Sequence, residues 1–302
     1  MSSRPTLANH ANERDRSAKD PNLVLIRDLI YRTSGIFQPD NKLCFLKDRC
    51  ARRMRAVGAQ STAEYFGLLT NHSECASEIR RLLNEITVGE TCFFRNEPQL
   101  NAIRKIVLPK LTRAVRKTPR VQLKIWSCGC STGEEPYTLA MILLEESLSL
   151  LGHDWQIVAT DINDRSLAAA REGVYDSYSL RNVAAGFRNK YFQKRGTEFV
   201  ISENVKDHVK FGRLNLLDDD KIALVKNNEI IVCANVLIYF DSVSKRRTVQ
   251  HFFNDLVPEG HLFLGHSESL YGVSSDFRLV HFPGATAYAK SDRQEARQLP
   301  GG

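Results

Sequence analysis

Through the first third of the chain, apolar positions recur at helical spacing. "LVLIRDLIYRTSG" carries such a face from Leu23 and stops at Ser34–Gly35. "NKLCFLKDRCARRMRAVG" sets Leu43, Leu46, Cys50 and Met54 on one side before Gly58. Ser61 then opens "STAEYFGLL" with Glu64 three residues on, the spacing of a capping box, and "ASEIRRLLNEIT" adds another amphipathic helix. The spacing predicts an all-helical domain over residues 21–97 and a helical linker over 98–119, closed by Pro119. The polar residues 1–20 carry no period and predict a disordered leader, as do residues 291–302 at the other end.

Beyond Pro119 the period changes. "VQLKIWSC", "WQIVATD", "EIIVCAN" and "GHLFLGH" are short apolar runs that read as strands. "EEPYTLAMILLEESLSL", "NDRSLAAAREG" and "DSVSKRRTVQHFFNDL" between them read as helices. That alternation predicts a parallel, doubly wound α/β sheet over residues 120–290. The last two runs, "FRLVHF" and "TAYAK", have no helix between them and predict an antiparallel hairpin at the end of the sheet. An insert at about 178–212, holding "TEFVIS" and "HVKFGRL", predicts a small antiparallel β subdomain with a short, charged loop between those two runs.

Composition narrows the class. Of 302 residues, 42% are hydrophobic and 25% charged, as in a soluble globular protein. There is no apolar run long enough to span a membrane and no signal-peptide core at the N-terminus, so a cytoplasmic protein is expected. The seven scattered cysteines then predict reduced thiols. The net charge of +7 is uneven: residues 21–125 hold 19 Lys and Arg against 9 Asp and Glu. An acidic partner surface is the chemistry that such a surplus suits. Nucleic acid is disfavoured, because basic and aromatic residues do not interleave there as base-stacking surfaces require.

The densest chemistry is "IWSCGCSTGEEPYTLAM", residues 125–141. A phosphate-binding loop needs Lys after the last glycine, but Gly133 is followed by Glu134 and Glu135, which repel phosphate. A metal knuckle on Cys128 and Cys130 lacks a second ligand pair, so no metal is expected and the two thiols read as small buried residues. What remains is a strand, a tight turn of small residues and a helix that starts with acids, an arrangement suited to a neutral or cationic cofactor. Asp161, ending the second strand, is placed to receive the hydroxyls of a ribose.

"GETCFFRN", "CGCSTGEEPYTLAM", "ATDIN", "NLLD", "CANVLIYFD" and "LFLGHSE" together resemble, in order and spacing, the chemotaxis receptor methyltransferases of the CheR family, over residues of about 23–290. The resemblance implies a Rossmann-like S-adenosylmethionine-dependent methyltransferase fold with an N-terminal all-helical domain and a small antiparallel β insert. It implies methyl transfer from S-adenosylmethionine to glutamate side chains on the cytoplasmic methylation helices of chemoreceptors, by a monomer that does not enter the membrane. Matching positions assign cofactor contacts to Thr91, Arg95, Glu135, Asp161, Asn215, Leu216 and Asn235. Arg95, reaching in from the helical domain, and Tyr239 would lie nearest the transferring methyl. Two positions depart from the family pattern: Gly89 replaces an Asn, and Ala234 replaces an Arg. These departures keep open a cofactor-binding regulator with little catalysis, and the basic surplus keeps open a methyltransferase acting on another substrate.

The substrate end is read from "KDRCARRMR", where Arg49, Arg52 and Arg53 would steer a glutamate-rich receptor helix, with Arg49 and Arg53 sharing one face. Some members of the family grip the receptor's C-terminal tail with a longer, glycine-punctuated loop in the β insert. The short loop expected here predicts action without that tether.

Overall fold

The computed structural model describes residues 20–71, 73–115, 122–146 and 154–290. The expected leader up to residue 19, the tail from 291 and the linker's end at Pro119 lie outside the described residues. The chain divides into a helical unit, through Val88 plus Tyr239–Asp241, and an α/β unit made of the rest.

The helical unit contains helices Pro21–Ser34, Leu43–Val57, Thr62–Asn71 and Cys75–Ile86. Asp20 caps the first by accepting from the Asn22 and Leu23 amides, and left-handed residues Gly35 and Gly58 end the first two. Ser61 Oγ accepts from the Glu64 amide at 3.2 Å, half of the expected box. The Glu64 carboxylate reaches the Gln60 amide at 2.7 Å, one residue short of the usual target. Leu23, Ile26, Leu46, Cys50, Tyr65 and Leu82 form part of its buried core. Tyr239–Asp241 attach through the Phe37 amide, which donates to the Tyr239 carbonyl at 2.8 Å, and through Tyr31, whose hydroxyl donates to Asp241 Oδ2 at 2.9 Å.

In the α/β unit a helical run opens at Glu97 and ends at Val115, with a π-helical segment at Ile103–Val107. Pro109, one residue into the following turn, has no amide to donate, which fits the local shift of the ladder. The strands are β1 (Gln122–Cys128), β2 (Asp154–Asp161), β3 (Val174–Tyr175), β4 (Phe192–Arg195), β5 (Glu198–Ile201), β6 (Val209–Arg213), β7 (Asn228–Cys233), β8 (Leu256–Leu264), β9 (Phe277–Phe282) and β10 (Ala285–Lys290). Seven of them form one sheet in the order β6-β2-β1-β7-β8-β10-β9. Its first five strands are parallel, and the expected β9–β10 hairpin is antiparallel with β10 inserted next to β8. The central strands are nearly all buried, as parallel sheets covered on both faces require.

The expected β insert is corrected in one respect. "HVKFGRL" does not pair with "TEFVIS"; its strand β6 lies parallel to β2, from Ile157 opposite Val209 to Asp161 opposite Arg213. The small antiparallel sheet is instead β3-β5-β4, and its hairpin joins β4 to β5 across Gly196 and Thr197. As an edge strand β6 has one neighbour, so Val209 is buried while Lys210 is exposed, the alternation that a surface hairpin would also show.

The helical unit also corrects part of the basic-face reading. Arg53 donates from Nε and a terminal nitrogen to both oxygens of Glu78, at 2.9 and 2.8 Å, and Tyr65 donates to the same carboxylate at 2.8 Å. The side chains of Arg53 and Glu78 are only 11% and 7% exposed, so this fork is occupied inside the protein. Arg53→Ala strands a buried carboxylate and is expected to lower unfolding stability by about 3 kcal/mol. Denaturant unfolding checks this; a loss no larger than that of an exposed pair would show that the network carries little.

Candidate active site

The site is built at the carboxyl ends of β1, β2 and β7. After Cys128 the chain turns through Gly129 (φ 66°) and Ser131 (φ 49°) into the helix Glu134–Glu145. Gly129 admits no side chain, because a Cβ there would lie 2.4 Å from Val236 Cγ2. The Cys130 amide donates to the Thr160 carbonyl at 3.0 Å, and the Ser131 amide to Asp161 Oδ2 at 2.8 Å. Asp161 Oδ1 accepts from the Asn163 amide at 2.8 Å. Burial raises the Asp161 pKa, opposed by the amides of Asn163, Ser131 and Ile162.

Glu135, partly buried in the first turn of the helix, accepts from Ser127 Oγ at 2.7 Å. Burial pushes its pKa up to about 7; the Ser127 hydroxyl and the Arg95 charge hold it down, and the charge of Glu268 adds to the rise. Arg95 belongs to the α/β unit, which starts at Gly89, and not to the helical unit from which it was expected to reach in. It is exposed and donates one bond, to the Glu90 carbonyl at 3.0 Å. Thr91 is half-buried four residues before it.

Two residues past β6, Asn215 Oδ1 accepts from the Leu217 amide at 3.1 Å, and Leu216 is buried. Asn235, two residues beyond β7, has a left-handed backbone (φ 59°) and donates its amide to Glu268 at 2.7 Å. The structure therefore gathers Asp161 with the β1 turn and Glu135 with Ser127. Tyr239 groups with the helical unit. Of the basic run, Arg49 lies over the Phe45 ring at 4.6 Å. Arg52 stands exposed, 3.9 Å from Glu85.

Sequence reasoning includes Ser127 and Ser131 only in the cofactor turn of residues 127–135, and Glu268 only in "LFLGHSE", and gives none of the three side chains a role. Ser131 also packs against Gly89: its hydroxyl donates to the Gly89 carbonyl at 2.9 Å, and a Cβ on residue 89 would stand 2.6 Å from Ser131 Oγ. All seven cysteines are free, and Cys128, Cys130 and Cys233 are buried with raised pKa values, as inert thiols are. Among the described residues no cluster of His, Cys, Asp and Glu suits a metal ion, and no helix is long and apolar enough to cross a membrane.

The family model of the CheR methyltransferase SAM binding domain matches residues 89–285, and that of the CheR methyltransferase all-alpha domain matches residues 21–87. The chain belongs to the CheR methyltransferase family. Chemotaxis protein methyltransferase 2 of Vibrio cholerae is 34% identical over 284 residues, covering 94% of this chain and 97% of the relative. The chemotaxis protein methyltransferases of Borreliella burgdorferi and Escherichia coli are 32% and 31% identical, over 81% and 90% of this chain and 86% and 91% of their own lengths. The chain is thus a CheR methyltransferase whose cofactor is S-adenosylmethionine. Its donor set fits that cofactor: two carboxylates, Asp161 and Glu135, suit hydroxyls and a cationic amine, and a carboxylate offers about four acceptor positions, more than the backbone amides at Asp161 fill.

The raised Glu135 pKa has a stability consequence in the cofactor-free protein. Folding raises this pKa from 4.5 to about 7, so the folded state holds the proton more tightly and Glu135 costs stability as pH rises through that window. Glu135→Gln removes the cost. Its stability relative to the parent should climb between those pH values, by at most about 1.4 kcal/mol per pH unit, and level off above them. Unfolding curves across pH check this; a pH-independent difference would contradict the assignment.

Proposed function

We propose that this CheR methyltransferase transfers the methyl group of S-adenosylmethionine to glutamate side chains on the cytoplasmic helices of chemoreceptors, forming glutamyl methyl esters in sensory adaptation. The observation that carries the reading is the match of both family domains, 21–87 and 89–285, to a chain whose strand ends present desolvated acids to a cationic cofactor. The names of its relatives, chemotaxis protein methyltransferases, support the receptor as acceptor.

When bound, S-adenosylmethionine supplies a methyl carbon on a positively charged sulfur. A glutamate acceptor is already ionised at neutral pH, so neither a general base nor a metal is needed. The protein's task is to align and desolvate the two reactants, a contribution that reaches on the order of 7 kcal/mol in favourable cases. In this reading Asp161 holds the ribose, Glu135 the amine of the methionine part, and Asn215, Leu216 and Asn235 the base and its surroundings, with Thr91 at the rim. Arg95 keeps most of its donors for a carboxylate, which its planar fork can hold with two bonds. Tyr239 lies beside the acceptor in the same reading. Arg52, with Arg49, meets the acidic receptor helix, while Arg53 is left out because Glu78 occupies it.

The β4–β5 hairpin turns in two residues, Gly196 and Thr197, and this short turn supports action without a tail tether. Titration with the C-terminal peptide of the cognate receptor should then give no micromolar binding, and such binding would reverse this part of the reading.

The function is tested by incubating the protein with methyl-labelled cofactor and receptor-containing membranes. Label should enter a membrane protein and leave as methanol on mild base treatment. Asp161→Ala should weaken cofactor binding by roughly 1–3 kcal/mol in calorimetry. Arg52→Glu should slow transfer and flatten its salt dependence without altering that affinity. Base-stable label, or label confined to nucleic acid, would refute the ester.

A further inference from the structure

The tip of β8 carries a carboxylate that the reading above does not use. After Leu264 the chain makes a tight turn in which the Glu268 amide donates to the Gly265 carbonyl at 2.9 Å. The turn folds the Glu268 side chain back over the strand ends. Its Oε2 accepts from the Asn235 amide at 2.7 Å and from the Gly265 amide at 2.8 Å, and its Oε1 from the Ile238 amide at 3.2 Å. Three backbone donors from two separate strand ends thus converge on one side chain, and bonds to an ionised acceptor are the strong kind.

The convergence requires glycine at 265. A Cβ there would stand 2.8 Å from Glu268 Oε2 and 2.9 Å from both the amide nitrogen and the side-chain oxygen of Asn235. Asn235 needs the support, because it is held at φ 59°, a region that non-glycine residues rarely occupy, although Asn tolerates it best. Without an acceptor for its amide, the β7 end would lose what fixes that conformation. Glu268 is also felt across the site: its charge adds to the rise of the Glu135 pKa, which the Ser127 hydroxyl and the Arg95 charge oppose.

We propose that Glu268 is a positioning residue for methyl transfer, whose carboxylate clamps the Asn235 and Ile238 backbone against the β8 turn and so fixes the β7 end at the cofactor rim. The proposal rests on the reading of Asn235 as a cofactor contact. It is tested in the full chain by calorimetric titration with S-adenosylhomocysteine, the demethylated product, using Asn235→Ala, Glu268→Ala and Glu268→Gln.

Glu268→Ala should weaken binding about tenfold or more, the loss that goes with charge-assisted bonds. Glu268→Gln keeps one acceptor oxygen for the Asn235 and Gly265 amides and should recover part of that loss. Because Glu268→Gln also removes a negative charge that raises the Glu135 pKa, it should move the acid limb of the binding profile to lower pH, which the loss of packing alone would not do. Wild-type affinity in both Glu268 variants, with Asn235→Ala impaired and the acid limb unmoved, would overturn the clamp alone. Unchanged affinity in Asn235→Ala would overturn the contact on which it rests. Should Glu268→Ala fail to fold, the Gln variant and its pH profile decide by themselves.

Discussion

The bond from the Ser131 amide to the Asp161 carboxylate, 2.8 Å long, joins the turn after β1 to the end of β2, and the rest of the site is arranged around it. The turn cannot be regular: Gly129 and Ser131 both have positive φ, and the chain must reverse from a buried strand into a helix within a few residues. Asp161 takes up amides from both sides of the gap, Ser131 on one and Asn163 on the other. The carboxylate that suits a ribose is thus first a structural acceptor. Its desolvation is offset in part by backbone dipoles before any ligand arrives.

The same logic recurs at β7 and β8. There the Glu268 carboxylate collects amides and leaves Asn235 in a left-handed conformation at a strand end. Acids at these ends have two effects. They satisfy donors that a parallel sheet leaves unpaired where its strands stop, and they build a negative, partly desolvated surface that favours a cationic ligand over a polyphosphate. Glu135, its pKa pushed up to about 7 chiefly by burial with the Glu268 charge adding to the rise, shows the cost of holding an acid there, and a cationic cofactor would relieve it.

Much of this is legible in the chain. β1, β2, β7 and β8 are, because strands buried on both faces read as short unbroken apolar runs, and glycine marks the helix ends at Gly35 and Gly58. β6 is easily misread because an edge strand has the alternating pattern of an exposed hairpin, and only pairing with β2 distinguishes them. Arg53 looks like part of a solvated basic face, since its partner Glu78 lies 25 residues away and a pairing at that range leaves no local trace. Glu268 closes the motif "LFLGHSE", but the donors that give its acid a purpose come from another strand and leave no local trace. Gly89 looks like a lost side chain, whereas in the structure Ser131 Oγ bonds its carbonyl and lies 2.6 Å from where a Cβ would stand.

The account stands on one chemical claim, that a carboxylate oxygen of the receptor receives the methyl group. Mass spectrometry of the cognate receptor, digested after incubation with the protein and S-adenosylmethionine, tests it most directly. The account predicts a single methyl on glutamate residues within the cytoplasmic helices, present only when both protein and cofactor were added and lost after mild base. Methyl groups on nitrogen or sulfur side chains, or an unmodified receptor under conditions where the cofactor is consumed, would contradict it.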